Sequence, residues 1–250
     1  MIRTALSFFG IVVLVVSAAP VWAEPPHPAT LGGRQRLLAS NDLLSGQGPG
    51  LTVVHDYIGM SLVLADRSAV RELAEEVHLL APVGRVQFRS WSARLPTGAD
   101  EKAYRGGVLV LGLVGPMDEA WRRELEAAGA EILAPADPHA IVVRTDEDGL
   151  RAAMAMTTSE GFAVVVGAVA LPIEARVERS LRAVLRGESL EEVRGLSVFG
   201  YGGDDLQGLT KDALGDIGEG GIEAQTLRRF LLDHPEVGYV EPEWSAATHN

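Results

Sequence analysis

The chain has no cysteine. Disulfide scaffolds, cysteine-ligated zinc, iron–sulfur clusters and thiol catalysis are therefore excluded. Lysine is almost as scarce: Lys102 and Lys211 are the only two, so nearly all the positive charge is arginine. Basic residues number 22 against 34 acidic ones, a formal charge of -12. That balance argues against nucleic acid and anionic membrane as partners, since both require clustered Lys and Arg. Beyond the first 23 residues no apolar run approaches the roughly 20 residues that a spanning helix needs. The full 250-residue chain is 47% hydrophobic and 22% charged, the balance of a folded chain rather than a disordered one.

Arg3 precedes an apolar run from Ala5 to Ala19, followed by Val21-Trp22-Ala23. A basic start, a hydrophobic stretch and a small-residue site match a secretory signal peptide over 1–23, and an uncleaved N-terminal anchor is the competing reading. The expected location is secreted or periplasmic, without a membrane segment after cleavage. Residues 24–50 carry Pro25, Pro26, Pro28 and Pro49 with several Gly and Ser, which predicts a flexible linker.

Order is expected from Leu51, with a first α/β module over 51–104. Strands are predicted at Leu51–Val54 and Ile58–Ala65 about a turn at Asp56-Tyr57. Asp66 would cap a helix carrying Val70, Leu73 and Val77, and Val83–Trp91 reads as a strand. Over 105–172 the pattern is clearer. Gly107–Val114 is an aliphatic strand broken by Gly115-Pro116, with Pro116 suited to a first helical turn. Met117, Trp121 and Leu125 recur at helical spacing up to Gly129, a C-terminal stop. Strands Ala130–Ala134 and Ala140–Arg144 follow, then a helix capped by Thr145 and a strand at Phe162–Val169. The order is β-α-β-β-α-β, the ferredoxin-like arrangement. Its strands lack strict polar alternation, so a neighbouring module or a partner should cover the open sheet face.

Residues 173–195 predict a linker helix, amphipathic over Glu174–Arg186. A shortened version of the same theme then occupies 196–250: a strand at Leu196–Tyr201, a glycine-rich middle, a helix through Leu227, Phe230 and Leu231, and a strand at Val237–Val240. The expected class is α+β, built of tandem ferredoxin-like modules with the last one abbreviated.

Two stretches carry a resemblance. From Val108 to Arg144, a strand ending in Gly115-Pro116 leads into the helix of Trp121, then through Gly129-Ala130 into a hairpin ending in Val143-Arg144. The second is His234-Pro235-Glu236-Val237-Gly238-Tyr239-Val240-Glu241-Pro242-Glu243-Trp244. Both resemble the N-terminal propeptide modules of subtilisin-like serine proteases, and the likeness extends over most of 51–244. It implies a module that docks its sheet on such a protease, inhibiting it or assisting its folding. The inhibitory tail would be Glu241, Glu243, Trp244, Ser245, Ala246, Ala247, Thr248, His249 and Asn250, laid along a cleft edge by backbone hydrogen bonds. Exposed charges at a chain end are the plainer reading of the two glutamates. The catalytic motifs of the family, Asp-Thr/Ser-Gly, a His-Gly motif and Gly-Thr-Ser, are all missing. Three expectations follow: a non-catalytic protein binding a subtilisin-like protease, an N-terminal region of a larger protease, or an exported scaffold without such a partner.

The remaining constellations are weak. His27, His55, His78, His139, His234 and His249 are scattered and form no metal motif. His55-Asp56 reads as a strand end and a turn rather than a base with its orienting carboxylate. Asp204, Asp205, Asp216 and Glu219 resemble an oxygen-rich cation loop but fail the calcium-loop spacing, because Leu227 occupies position twelve from Asp216. Gly46, Gly48 and Gly50 lack the flanking strand and helix of a phosphate cradle. Trp121 reads as core, while Trp91 and Trp244 sit at element edges where a partner could meet them. No cofactor is expected.

Overall fold

The structure, a computed structural model, describes residues 34–44, 50–73, 77–80, 84–89, 91–188, 193–201, 206 and 223–244. The expected signal peptide over 1–23, Gly46, Gly48 and the acidic residues Asp204, Asp205, Asp216 and Glu219 lie outside them. The fold is α+β, with several separate sheets. No helix among the described residues is long and apolar enough to cross a membrane.

The first unit begins earlier than its composition suggests. β1 (Gln35–Ser40) lies inside the expected linker, followed by α1 (Asn41–Leu44), β2 (Leu51–Tyr57), β3 (Met60–Ala65), α2 (Arg67–Leu73) and β4 (His78–Leu79). All pairings are antiparallel, in the order β2-β3-β1-β4. The prolines of the lead-in fall outside β1, whose Leu37 pairs with Val63 on one side and Leu79 on the other. Pairing from both sides decides what local composition could not. The hairpin turn falls at Ile58-Gly59, not Asp56-Tyr57, because Gly59 supplies the positive φ of 80°. Leu37, Ala39, Val63 and Ala65 bury against Val70 and Leu73 of α2. Side chains alternate across a strand, so Leu62 and Leu64 point the other way, into the core of the next unit.

Residues 85–94 form a hairpin, β5 (Arg85–Phe88) and β6 (Trp91–Arg94), rather than one strand. The chain reverses at Arg89, which has a φ of 51°. Two-residue β7 (Gly98–Ala99) and a 3₁₀ turn at Ala103–Arg105 lead into the central unit.

That unit comprises β8 (Gly107–Leu113), α3 (Glu119–Ala127), β9 (Glu131–Asp137), β10 (Ala140–Thr145), α4 (Glu147–Ala155) and β11 (Val165–Ala170). Its sheet runs β7-β11-β8-β10-β9, so last, first, third and second strands are neighbours, as in the first unit. Asp118 caps α3 by accepting from the Ala120 amide, so Pro116 precedes the helix instead of opening it. Asp146, not Thr145, caps α4 through the Gly149 amide. Gly149 is tolerated inside that helix because α3 ends against it: a Cβ there would lie 2.8 Å from the Ala128 carbonyl. Leu109, Leu111, Trp121, Leu125 and Leu150 form the helix-side core. The other face is covered from within the chain. Gly112 and Gly167 face Leu95, whose Cδ2 would lie 2.0 Å from a Cβ on Gly112. Covering on both faces explains strands without polar alternation.

In the third unit the expected linker helix is split. A 3₁₀ turn at Ile173–Arg176 and the short α5 (Leu181–Leu185) flank Val177, which bridges in parallel to Val240. β12 (Val193–Gly200), α6 (Ala224–Asp233) and β13 (Val237–Trp244) complete it, with β12 and β13 antiparallel. Val177, Leu181, Val198, Leu227, Leu231 and Val240 share one core. Val177 on β13 repeats what β7 does on β11: each last strand gains a parallel edge from the segment that precedes its unit.

Candidate functional site

The strand expected to end near Glu241 runs on to Trp244. Glu241 lies opposite Ser197, Glu243 opposite Gly195 and Trp244 opposite Val193. The Ser197 hydroxyl donates to Glu243 Oε1 at 2.9 Å. These three residues are ladder members rather than a free tail, because an eight-residue partner strand carries the pairing through Pro242. Ser245, Ala246, Ala247, Thr248, His249 and Asn250 lie outside the described residues.

Period-two alternation gives the β12–β13 pair two unlike faces. Leu196, Val198 and Val240 enter the unit's core, and Val237 joins them beyond the register shift between Phe199 and Gly200. Ser197, Phe199, Tyr239, Glu241 and Glu243 share the other face, and Phe199 and Tyr239 are opposed and only half-buried. The Arg89 guanidinium lies 4.4 Å from the Tyr239 ring centroid. Burial, reinforced by the charges of Glu178 and Glu241, pushes the Tyr239 hydroxyl up. Phe88 meets Tyr201 at 6.1 Å, so the β5–β6 hairpin leans on this end of the third unit.

Arg176 fixes the outlet of that strand pair. Its guanidinium donates to the carbonyls of Leu231 at 2.8 Å, His234 at 2.6 Å and Val237 at 2.7 Å. It is 5% exposed, and burial lowers its pKa. A planar fork of donors matches the carbonyls exposed where α6 ends and β13 begins.

The histidine reading changes in its partner. Asp56 accepts from Ser61 Oγ, while His55 Nε2 stands 3.3 Å from Asp118 Oδ2. Burial pushes the Asp118 carboxyl up, but the Ala120 amide, His55 and the Trp121 amide together hold it below its ordinary range. Tyr57 donates to the Pro116 carbonyl at 2.8 Å, and burial with the Asp118 charge pushes its hydroxyl up. The His55 ring lies 4.4 Å from that of Trp121, which is core as expected. His55 Nδ1 is buried and meets no hydroxyl, so the pair is an acid–imidazole contact without a nucleophile. It joins the first unit to the N-terminus of α3.

Among the described residues no group of three or more His, Asp or Glu is placed to hold a metal ion. Trp91 packs inward beside Phe88, half-buried. No family model, curated protein or solved structure matches the chain. Three features escape sequence reasoning: buried Arg36, buried Arg176 and the arginines of the hairpin. Only the last left a signal, the alternation Arg85-Val86-Gln87-Phe88, which is that of a half-buried strand.

Proposed function

We propose that this chain is an exported, non-catalytic protein of tandem ferredoxin-like, propeptide-type modules that binds a subtilisin-like serine protease. It acts as inhibitor or folding assistant. The carrying observation is the repeated topology: two successive units place last, first, third and second strands side by side. The first and last strands of the third unit pair in the same way. The sheet of the first unit buries one face on the central unit, and Leu95 covers the central sheet. The outer face of β12–β13, with Phe199, Tyr239, Glu241 and Glu243, is therefore the sheet surface assigned to the protease, and residues 245–250 are assigned to its cleft. A strand added to a cleft edge gains backbone hydrogen bonds, and its side chains set specificity.

The test is a titration of the purified chain, from residue 24 onward, into several subtilisin-like proteases, with activity and refolding yield as readouts. Inhibition at micromolar concentration that is lost on deleting residues 245–250 is the expected result. Neither inhibition nor improved refolding with any of them would sink the reading.

A further inference from the structure

The outward face of the β5–β6 hairpin is built against its own stability. Cross-strand pairs place Arg85 directly opposite Arg94, and Gln87 opposite Ser92. Like charges directly opposed in a ladder are destabilising. Neither Arg85 nor Arg94 has an ion-pair partner among the described residues, although the whole chain carries a charge of -12. Several exposed arginines are matched, Arg122 with Glu119 and Glu126, Arg144 with Glu131 and Arg151 with Glu147. Arg67, Arg71, Arg105, Arg179 and Arg229 are not, but among the described residues only Arg85 and Arg94 oppose each other in a ladder. At the turn, Arg89 is the only non-glycine described residue with a positive φ. A long side chain held in that conformation carries strain that another residue type could relieve. Arg85, Gln87, Arg89, Trp91 and Ser92 line a shallow depression of about 210 Å³, and Arg94 stands opposite Arg85 in the ladder.

Two arginines without an ion-pair partner among the described residues and two neutral hydrogen-bonding side chains share one face of the hairpin in a molecule of net negative charge. The strained Arg89 lies beside them over the Tyr239 ring. Guanidinium forks bind carboxylates in pairs and lose little hydration in doing so. We infer that this hairpin face is a docking surface for a carboxylate-rich peptide segment of a partner protein, with Arg85 and Arg94 as its charge anchors. The bound acid supplies the counter-charge that the chain itself leaves out. This inference does not depend on the protease reading, since its anchors Arg85 and Arg94 belong to the β5–β6 hairpin and not to the β12–β13 face assigned to the protease.

The probe is a fluorescein-labelled octaglutamate, followed by anisotropy against the intact chain at low salt. Repulsion from the rest of the surface disfavours nonspecific binding of such a probe. Saturable binding is expected, falling with added salt. Arg94→Glu should weaken it at least tenfold and, by giving Arg85 an opposite charge, raise the melting temperature. Arg151→Gln, on the exposed face of α4, should leave binding unchanged. A purely structural role for Arg94 predicts the reverse pattern, with a lowered melting temperature and unchanged binding. Either that pattern, an absence of saturable binding, or tighter binding of oligothymidylate than of octaglutamate overturns the inference.

Discussion

The first and central units follow one strand order but do not stand on the same footing. The central unit has two nine-residue helices and strands of six or seven residues, with a core that includes Leu109, Leu111, Leu125 and Leu150. The first unit has helices of four and seven residues and a last strand of two. Its own core is Leu37, Ala39, Val63, Ala65, Val70 and Leu73, while Val54, Leu62 and Leu64 belong to its neighbour's. One topology can thus serve as a self-sufficient body or as a lean-to. Which it becomes is set by how much apolar surface its helices can cover.

The sharpest way to break this comparison is to damage each core separately. Leu150→Ala should cost about 3 kcal/mol and lower the single main unfolding transition of the chain. Leu37→Ala should instead detach an early transition confined to residues 34–80, leaving the main one nearly in place. Urea titrations followed by hydrogen exchange distinguish them. If Leu37→Ala shifts the entire transition as Leu150→Ala does, the first unit is not the dependent partner. The same logic predicts that a fragment of residues 84–172, which keeps Leu95 over the central sheet, folds alone and one of 34–80 does not.

The contact between the two units centres on Arg36. Its Nη1 donates to the carbonyls of Leu113 at 3.3 Å and Val114 at 2.5 Å, where β8 ends. It is 3% exposed, and burial lowers its pKa to about 10, so it remains charged at neutral pH. Hydrogen bonds from a charged donor are worth about 2 kcal/mol, and these tie β1 to the neighbouring unit. Arg36→Met should therefore cost about 2 kcal/mol, read as faster exchange in β1 and β3 with β8 unaffected. Equal loosening of both sheets would mean that Arg36 supports the central unit itself.

A smaller effect separates two glycines that cover the same sheet face. A Cβ on Gly167 would lie 2.1 Å from the Pro96 carbonyl, which is backbone. On Gly112 the obstacle is the far end of the Leu95 side chain. Gly167→Ala should cost about 2 kcal/mol and Gly112→Ala about half that, since a side chain can turn aside. Melting temperatures of the two variants in parallel settle the order.

The central unit was legible because its strands are continuous aliphatic runs bounded by Gly115 and Gly129, and its helices show plain spacing. Trp121 and Leu125 fell where the pattern put them. β1 was not legible, since Gln35–Ser40 is a short strand beside a Pro- and Gly-rich stretch and gains its structure from β3 and β4. Val177 misled for a related reason: it continues an amphipathic spacing, yet a single bridge to Val240 draws it out of any helix. The extent of β13 depended likewise on the length of β12. In the candidate site, the residues were visible but their pairing was not, and no local pattern could announce that Arg176 would collect three carbonyls.

The smallest expected effect tests the junction of the two units by pH. His139 lies in the β9–β10 turn, and burial with the Arg36 charge nearby, offset in part by Asp137, lowers its pKa from the ordinary 6.5. Above pH 6.5 the imidazole is neutral whether the chain is folded or not, and the stability is fully present. Below it, the unfolded chain takes up a proton that the folded one resists, so stability falls as pH drops toward the lowered value. The urea midpoint should therefore decline between pH 7 and pH 5, and His139→Gln should flatten that part of the decline. Because Arg36 reaches this histidine from the other unit, Arg36→Met should also shrink the decline. A decline unchanged by Arg36→Met would mean that the central unit senses acid through burial alone, without its neighbour.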